Sequence, residues 1–280
     1  MSSDRPRAGS EALLLACMTW GRVFARRGVP ILCYHRVADD AAGDISTVAP
    51  AVFREQMGWL QEWGFRIVGL EELVSLLACH EPVPRRSVVL TFDDGYESFY
   101  HEASETMREL GYTASVFVPT DYVSGAASWE EGLAGSGEKL LSWEQMGELA
   151  GAGFSFYPHG VTHRPLTQLT GPDLERELRE SREVLEDRLG RPARVFCYPY
   201  GDCEARVEQA ARAAGYDGAC GLTPDVNWSA EQLWNLCRMQ VLRTTTRRGF
   251  EARVTGAFRY YARLRSLVRG GADRRPRDDG

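Results

Sequence analysis

The sequence is short of histidine, of closely spaced cysteines, of long apolar runs and of excess basic charge, and each shortage removes a class of protein. A formal net charge of −6 and a pI near 5.5 leave no basic footprint for nucleic acid. No stretch reaches the roughly 18 consecutive apolar residues of a membrane-spanning helix. The seven cysteines are an odd number, scattered without a Cys-x-x-Cys pair. That pattern excludes a disulfide framework and a cysteine zinc ribbon, and it fits a reducing compartment. Only five histidines are present, so two of them placed close together carry weight.

Arg5 and Arg7 precede the apolar run Ala12 to Cys17, a pattern that superficially resembles a secretion signal. The run is short, Glu11 bounds it upstream, and Met18-Thr19-Trp20 follows in place of a small-residue cleavage pattern. Cytoplasmic localisation is therefore the expectation. Leu13, Leu14, Cys17, Trp20 and Phe24 recur at helical spacing and predict an amphipathic helix packed on the main body. Arg22, Arg26 and Arg27 on its flank leave a peripheral membrane contact open.

From Pro30 onward, apolar runs alternate with helical patterns. Strands are expected at 31–35, 66–68, 88–92, 114–118, 154–157, 194–198, 216–220 and 236–241, and helices at 50–63, 71–78, 100–110, 142–150, 172–189, 204–214 and 250–268. Ser142 with Gln145 three places on reads as a capping box. Repeated strand-helix alternation implies a parallel sheet covered by helices, either an α/β barrel or an open doubly wound sheet. A chain of 280 residues accommodates one barrel of about 200–250 residues. The expected organisation is an N-terminal helical extension at 1–29, a barrel at 30–245, a C-terminal helix at 246–269 and a disordered tail at 270–280.

Three stretches carry chemistry. Val88 to Phe92 is a buried-strand pattern that stops at Asp93-Asp94-Gly95, and sites in such folds collect at the carboxyl ends of strands. Taken alone, Asp93-Asp94-Gly95 is equally compatible with a turn that caps the following helix. In His159-Gly160-Val161-Thr162-His163, two imidazoles lie four residues apart just after a strand. Joined to a carboxylate from another strand end, they would make an open three-ligand metal site; the ligand types suit zinc, and cobalt, iron or nickel as well. In Arg194 to Asp202, a strand runs into the turn Tyr198-Pro199-Tyr200-Gly201.

Together these stretches resemble the NodB-type polysaccharide deacetylases, the fourth family of carbohydrate esterases. Thr91 to Gly95 matches the first family motif, His159 to His163 the second, and Tyr198 to Gly201 a variant of the third, in the family's order. The resemblance runs from about Pro30 to Val241 and implies a distorted (β/α)7 barrel. It further implies one divalent metal held by Asp94, His159 and His163, Asp93 as general base, and the Tyr200 backbone N–H as oxyanion donor. The implied reaction removes the acetyl group of an N-acetylated carbohydrate.

Two departures stand out. Where the family's third motif carries an arginine that orients the base, this chain has Cys197. The late Leu-x-His that supplies the acid reads Leu236-Cys237-Arg238, and no histidine follows His163. The N-terminal run ending Tyr34-His35-Arg36 resembles the circularly permuted branch that deacetylates poly-N-acetylglucosamine, which implies His35 as the acid. Arg238, or failing that Arg36, would replace the missing charge. A hydrolase of another C–N bond, such as a cyclic amide or ureide, and a non-catalytic glycan-binding relative are the alternative readings. Trp129, Trp143 and Trp228 fall in loops or at helix starts, where a flat ring stacks on a sugar or packs into the core; Trp143, inside the capping box, is expected in the core.

Overall fold

The apolar runs form parallel strands, and their period-two alternation decides which side chains face the interior. The computed structural model describes residues 28–39, 44–129 and 138–264. Its strands are β1 (Ile31–Tyr34), β2 (Arg66–Ile67), β3 (Ser87–Phe92), β4 (Ser115–Val118), β5 (Ser155–Pro158), β6 (Val195–Cys197), β7 (Gly218–Cys220) and β8 (Met239–Gln240). The helices are α1 (Pro50–Glu62), α2 (Leu70–Ala78), α3 (Ser104–Glu109), α4 (Trp143–Gly151), α5 (Gly171–Leu189), α6 (Ala205–Ala213) and α7 (Arg247–Val254).

All the strand pairings are parallel. One sheet runs β5-β4-β3-β1-β8, with β2 paired only to the start of β3, and β6-β7 form a second ribbon. A parallel bridge from Cys220 to Leu236 joins β7 to the segment that leads into β8. Between β5 and β6 there is packing but no backbone ladder. Leaving β2 aside, seven strands follow one another around this distorted (β/α)7 barrel. The N-terminal strand β1 sits between β3 and β8, so the residue after it lies beside the residue after β3.

Alternation then sorts the side chains. Ile31, Val89, Phe117, Tyr157, Val195, Cys197 and Cys220 share one buried cluster inside the ring. Leu32, Tyr34, Leu90, Phe92, Val116 and Phe156 pack outward with helix residues such as Phe53, Met57 and Met107. Phe92 stacks on Tyr34 at 5.2 Å and meets Phe99 edge-on at 4.7 Å, contacts worth about 0.5–1.5 kcal/mol each beyond area burial. These rings pin the ends of β1 and β3, where the sequence turns polar.

Ser142 caps α4 with Gln145 as its reciprocal partner, as the spacing predicts. The helix expected over 100–110 is π-helical over Phe99–Ala103 before it passes into α3, and two further expected elements differ. The strand expected over 236–241 is limited to Met239–Gln240, because Asn227 brackets Cys237 through both its N–H and C=O, and Arg238 N–H bonds Thr223 O. The helix expected over 250–268 starts earlier, capped by Thr246, and stops at Val254. Gly256, at φ 75° and against Val226, breaks it before helix resumes at 258–264. The expected N-terminal helix and tail lie outside the described residues. Among the described residues no helix is long and apolar enough to cross a membrane.

Candidate active site

The inward faces of the strands, extended by one residue, deliver His35 after β1, Asp93 after β3 and His159 after β5 to one end of the barrel. Asp94 would point away by the same alternation. It reaches the site because its backbone turns left-handed at φ 71°, as it does at His163 (57°) and Tyr200 (62°). Only six non-glycine residues adopt positive φ among those described, and these site positions are half of them. Such strain costs on the order of 1–3 kcal/mol per residue and concentrates at functional sites.

Asp94, His159 and His163 each present a ligand atom within 4.8 Å of the others, and all three are buried. The Asp94 carboxylate oxygen lies 3.1 Å from His163 Nε2 and 3.6 Å from His159 Nε2. His159 Nδ1 is 2.8 Å from the carbonyl of Cys197, which can only accept, so Nδ1 carries the proton and Nε2 a lone pair. Burial pushes His159 down to about 4, against the pull of Asp93, so the ring is neutral at pH 7. A lone pair and a carboxylate oxygen facing one another in a dry site repel unless a cation lies between them. The residues present therefore fit a divalent metal, and the carbonyl behind His159 is the supporting contact that fixes a metal-ligating tautomer.

Asp93 is held differently. Burial alone would raise its carboxyl, but the Arg238 guanidinium, together with the nearby His159 and His35 rings, outweighs burial and holds it well below the usual carboxylate range. Arg238 Nη1 and Nη2 donate to Asp93 Oδ1 and Oδ2 at 2.6 and 2.8 Å, and its Nε donates to Gly221 O at 2.7 Å. Arg238 is completely buried and lies over the Phe117 ring. Of the two arginines expected to supply the missing charge, it is Arg238 that reaches Asp93; Arg36 pairs with Glu138 at 3.0 Å. Cys197 stands against both partners, with its sulfur 3.0 Å from Arg238 Nη2 and 4.0 Å from Asp93.

His35 has a ring nitrogen within 4.8 Å of the Asp93 carboxylate and of Cys33 Sγ, and its buried Nδ1 has no partner among the described residues. The expected ligands, base, acid and compensating arginine thus share one end of the barrel. Tyr200 sits at the edge, 53% exposed, with its ring 4.8 Å from that of His163.

Cys33, whose thiol lies 3.5 Å from Asp93 Oδ2, was not anticipated, although it precedes His35 by two and shares its face. Burial raises Cys33 and Cys197 well above ordinary thiols. Of the tryptophans, Trp129 packs 4.8 Å from the His163 ring, Trp143 packs against the core under Arg188, and Trp228 is exposed.

The sequence profile of the family described as Polysaccharide deacetylase matches residues 80–219, half of the chain. The chain belongs to the polysaccharide deacetylase family, whose members are hydrolases acting on N-acetyl groups of polysaccharides. It is 25% identical over 213 residues to YxkH of Bacillus subtilis (strain 168), covering 76% of this chain and 71% of that one. It is 26% identical over 243 residues to the poly-beta-1,6-N-acetyl-D-glucosamine N-deacetylase of Escherichia coli (strain K12); this covers 73% of the chain but only 34% of that longer relative. In fold it is similar to the Streptococcus pyogenes deacetylase PplD solved with acetate, at TM-score 0.72, 24% identity and coverage of 81% and 98% of the two chains. IcaB from Ammonifex degensii gives 0.70, 24%, 83% and 97%.

Proposed function

We propose that this chain hydrolyses the N-acetyl group of an N-acetylated hexosamine glycan, with zinc held by Asp94, His159 and His163. The observation that carries this reading is the pairing of two differently held carboxylates on adjacent residues. Asp94 faces two imidazoles, while Asp93 is kept ionised by Arg238 and stands unligated beside them. A site that only bound a glycan would have no use for an oriented, ionised base there. Two imidazoles and a carboxylate suit zinc, and leave a position open for water or substrate.

A zinc ion bound there would polarise the acyl oxygen and lower the pKa of a water from about 16 toward 7. Asp93 takes the proton of the water that attacks the acetamide carbon; Arg238 and the Cys33 thiol do not exhaust its lone pairs. In this reading the Tyr200 backbone N–H donates to the developing oxyanion, a contact commonly worth about 2.7–4 kcal/mol. His35 protonates the amine as the C–N bond breaks, a contribution of about 10²–10⁴-fold. Acetate and a free amino sugar are the products.

The aromatic surroundings favour a sugar. Trp129 and Tyr200 place rings beside His163, and Tyr200 is exposed enough for a pyranose face to stack on it. The test is acetate release from N-acetylglucosamine oligomers by zinc-loaded protein, with a cyclic amide as the competing substrate. Release from the oligomers supports the reading, and hydrolysis of the cyclic amide alone rejects it.

A further inference from the structure

The loop that joins the two histidines is held by a residue outside all the motifs. Glu177 lies in the second turn of α5 and is 3% exposed. Its Oε2 accepts from Val161 N–H at 2.6 Å and Thr162 N–H at 3.0 Å, and its Oε1 accepts from the Thr162 hydroxyl. Among the described residues no arginine, lysine or histidine forms an ion pair with it. A buried carboxylate without a cation is costly unless hydrogen bonds satisfy it, so the loop amides are what hold it there. The reverse also applies. The loop belongs to no helix or ladder, and Glu177 takes two of the three N–H groups that lie between its histidines.

The packing is close. Gly160 has φ 81°, and a Cβ at that position would stand 2.8 Å from Glu177 Oε2. On the opposite side, the carbonyls of Gly160 and Val161 accept from Thr120 N–H and Asp121 N–H at 3.1 and 3.0 Å. The histidines at the two ends of this clamped loop are oriented by different means. The His159 ring is fixed by the Cys197 carbonyl, whereas the buried Nδ1 of His163 has no partner among the described residues. Apart from the Asp94 oxygen 3.1 Å from its Nε2, the His163 ring takes its direction from its backbone, which is held left-handed at φ 57°.

We infer that Glu177 is a positioning residue for the metal centre: it sets the His159 to His163 loop so that His163 faces Asp94 with no hydrogen bond at its Nδ1 to orient the ring. This rests on the reading that Asp94, His159 and His163 hold the metal. The full-length chain is compared with its Glu177→Ala, Glu177→Asp and Glu177→Gln variants by zinc affinity in chelator competition, by the visible absorption of the cobalt-loaded protein, and by thermal unfolding without metal. Ala removes the acceptor and Asp is one methylene too short, so both are expected to lose about 10–100-fold in zinc affinity and to alter the cobalt spectrum. Gln is expected to restore both readouts, since its oxygen can accept from the two N–H groups while its amide donates to the Thr162 hydroxyl. If Ala does not fold, Asp against Gln decides. A wild-type chain that binds neither zinc nor cobalt removes the metal-centre reading itself. A wild-type chain that binds, with Asp and any folded Ala variant binding as tightly and with the same spectrum, leaves the metal centre standing and overturns the role of Glu177.

Discussion

Arg238 meets Asp93 at both carboxylate oxygens, across 145 residues of sequence, with both side chains buried. The pair has an energetic consequence. Removing one member of a buried pair strands the other, at a cost of about 3–5 kcal/mol. Arg238→Met should lose stability of that order in urea unfolding at pH 7, and adding Asp93→Asn to it should recover part of the loss. Stability unchanged in Arg238→Met would show that the pair does not hold this end of the barrel together.

His35 lies outside the Asp94, His159 and His163 grouping, so its loss should spare metal binding and affect only departure of the amine. His35→Ala is expected to lower kcat on an N-acetyl sugar by about 10²–10⁴-fold with zinc affinity unchanged. An aryl acetate needs no proton on its leaving group, so its hydrolysis should fall far less. Equal losses on the two substrates would remove His35 from the acid role.

The turn beside Arg36 has its own titrating group. The Asp44 carboxylate accepts from Ser46 N–H at 3.1 Å, from the Ser46 hydroxyl and from the Thr47 hydroxyl at 2.8 Å, while Val48 N–H bonds Arg36 O. Burial opposes ionisation of Asp44, but these hydrogen bonds outweigh it and the carboxyl is lowered. A depressed acid contributes stability that is present above its unfolded value, about 3.9, and lost as pH falls through the folded one. The stability difference between wild type and Asp44→Asn should therefore be flat from pH 7 to pH 5 and shrink below pH 4, read by urea unfolding at each pH. A difference that does not depend on pH would contradict this.

Much of the site was legible in the sequence because strand alternation is local. His35, Asp93 and His159 each extend the inward face of a strand recognisable from its apolar run. What escaped depends on contacts between distant segments or on backbone sign. Arg238 was one of two candidates until the fold placed it, since nothing near it in sequence points to Asp93. Glu177 reads as one more acid on a highly charged helix and becomes distinct only when the loop folds over it. The short β8 and the break at Gly256 follow from Asn227 and Val226, which press on those segments from elsewhere in the chain.

The central claim is that Asp93, unligated and held ionised by Arg238, is the base that drives acetate release beside a metal bound by its neighbours. The most direct test measures acetate release from N-acetylglucosamine oligomers for zinc-loaded wild type and Asp93→Asn, with the zinc content of both determined. The account predicts release by wild type that stops on chelation and returns with zinc, and an Asp93→Asn variant that binds zinc but releases acetate at least about 10²-fold more slowly. An Asp93→Asn variant that carries zinc and keeps wild-type turnover would contradict it.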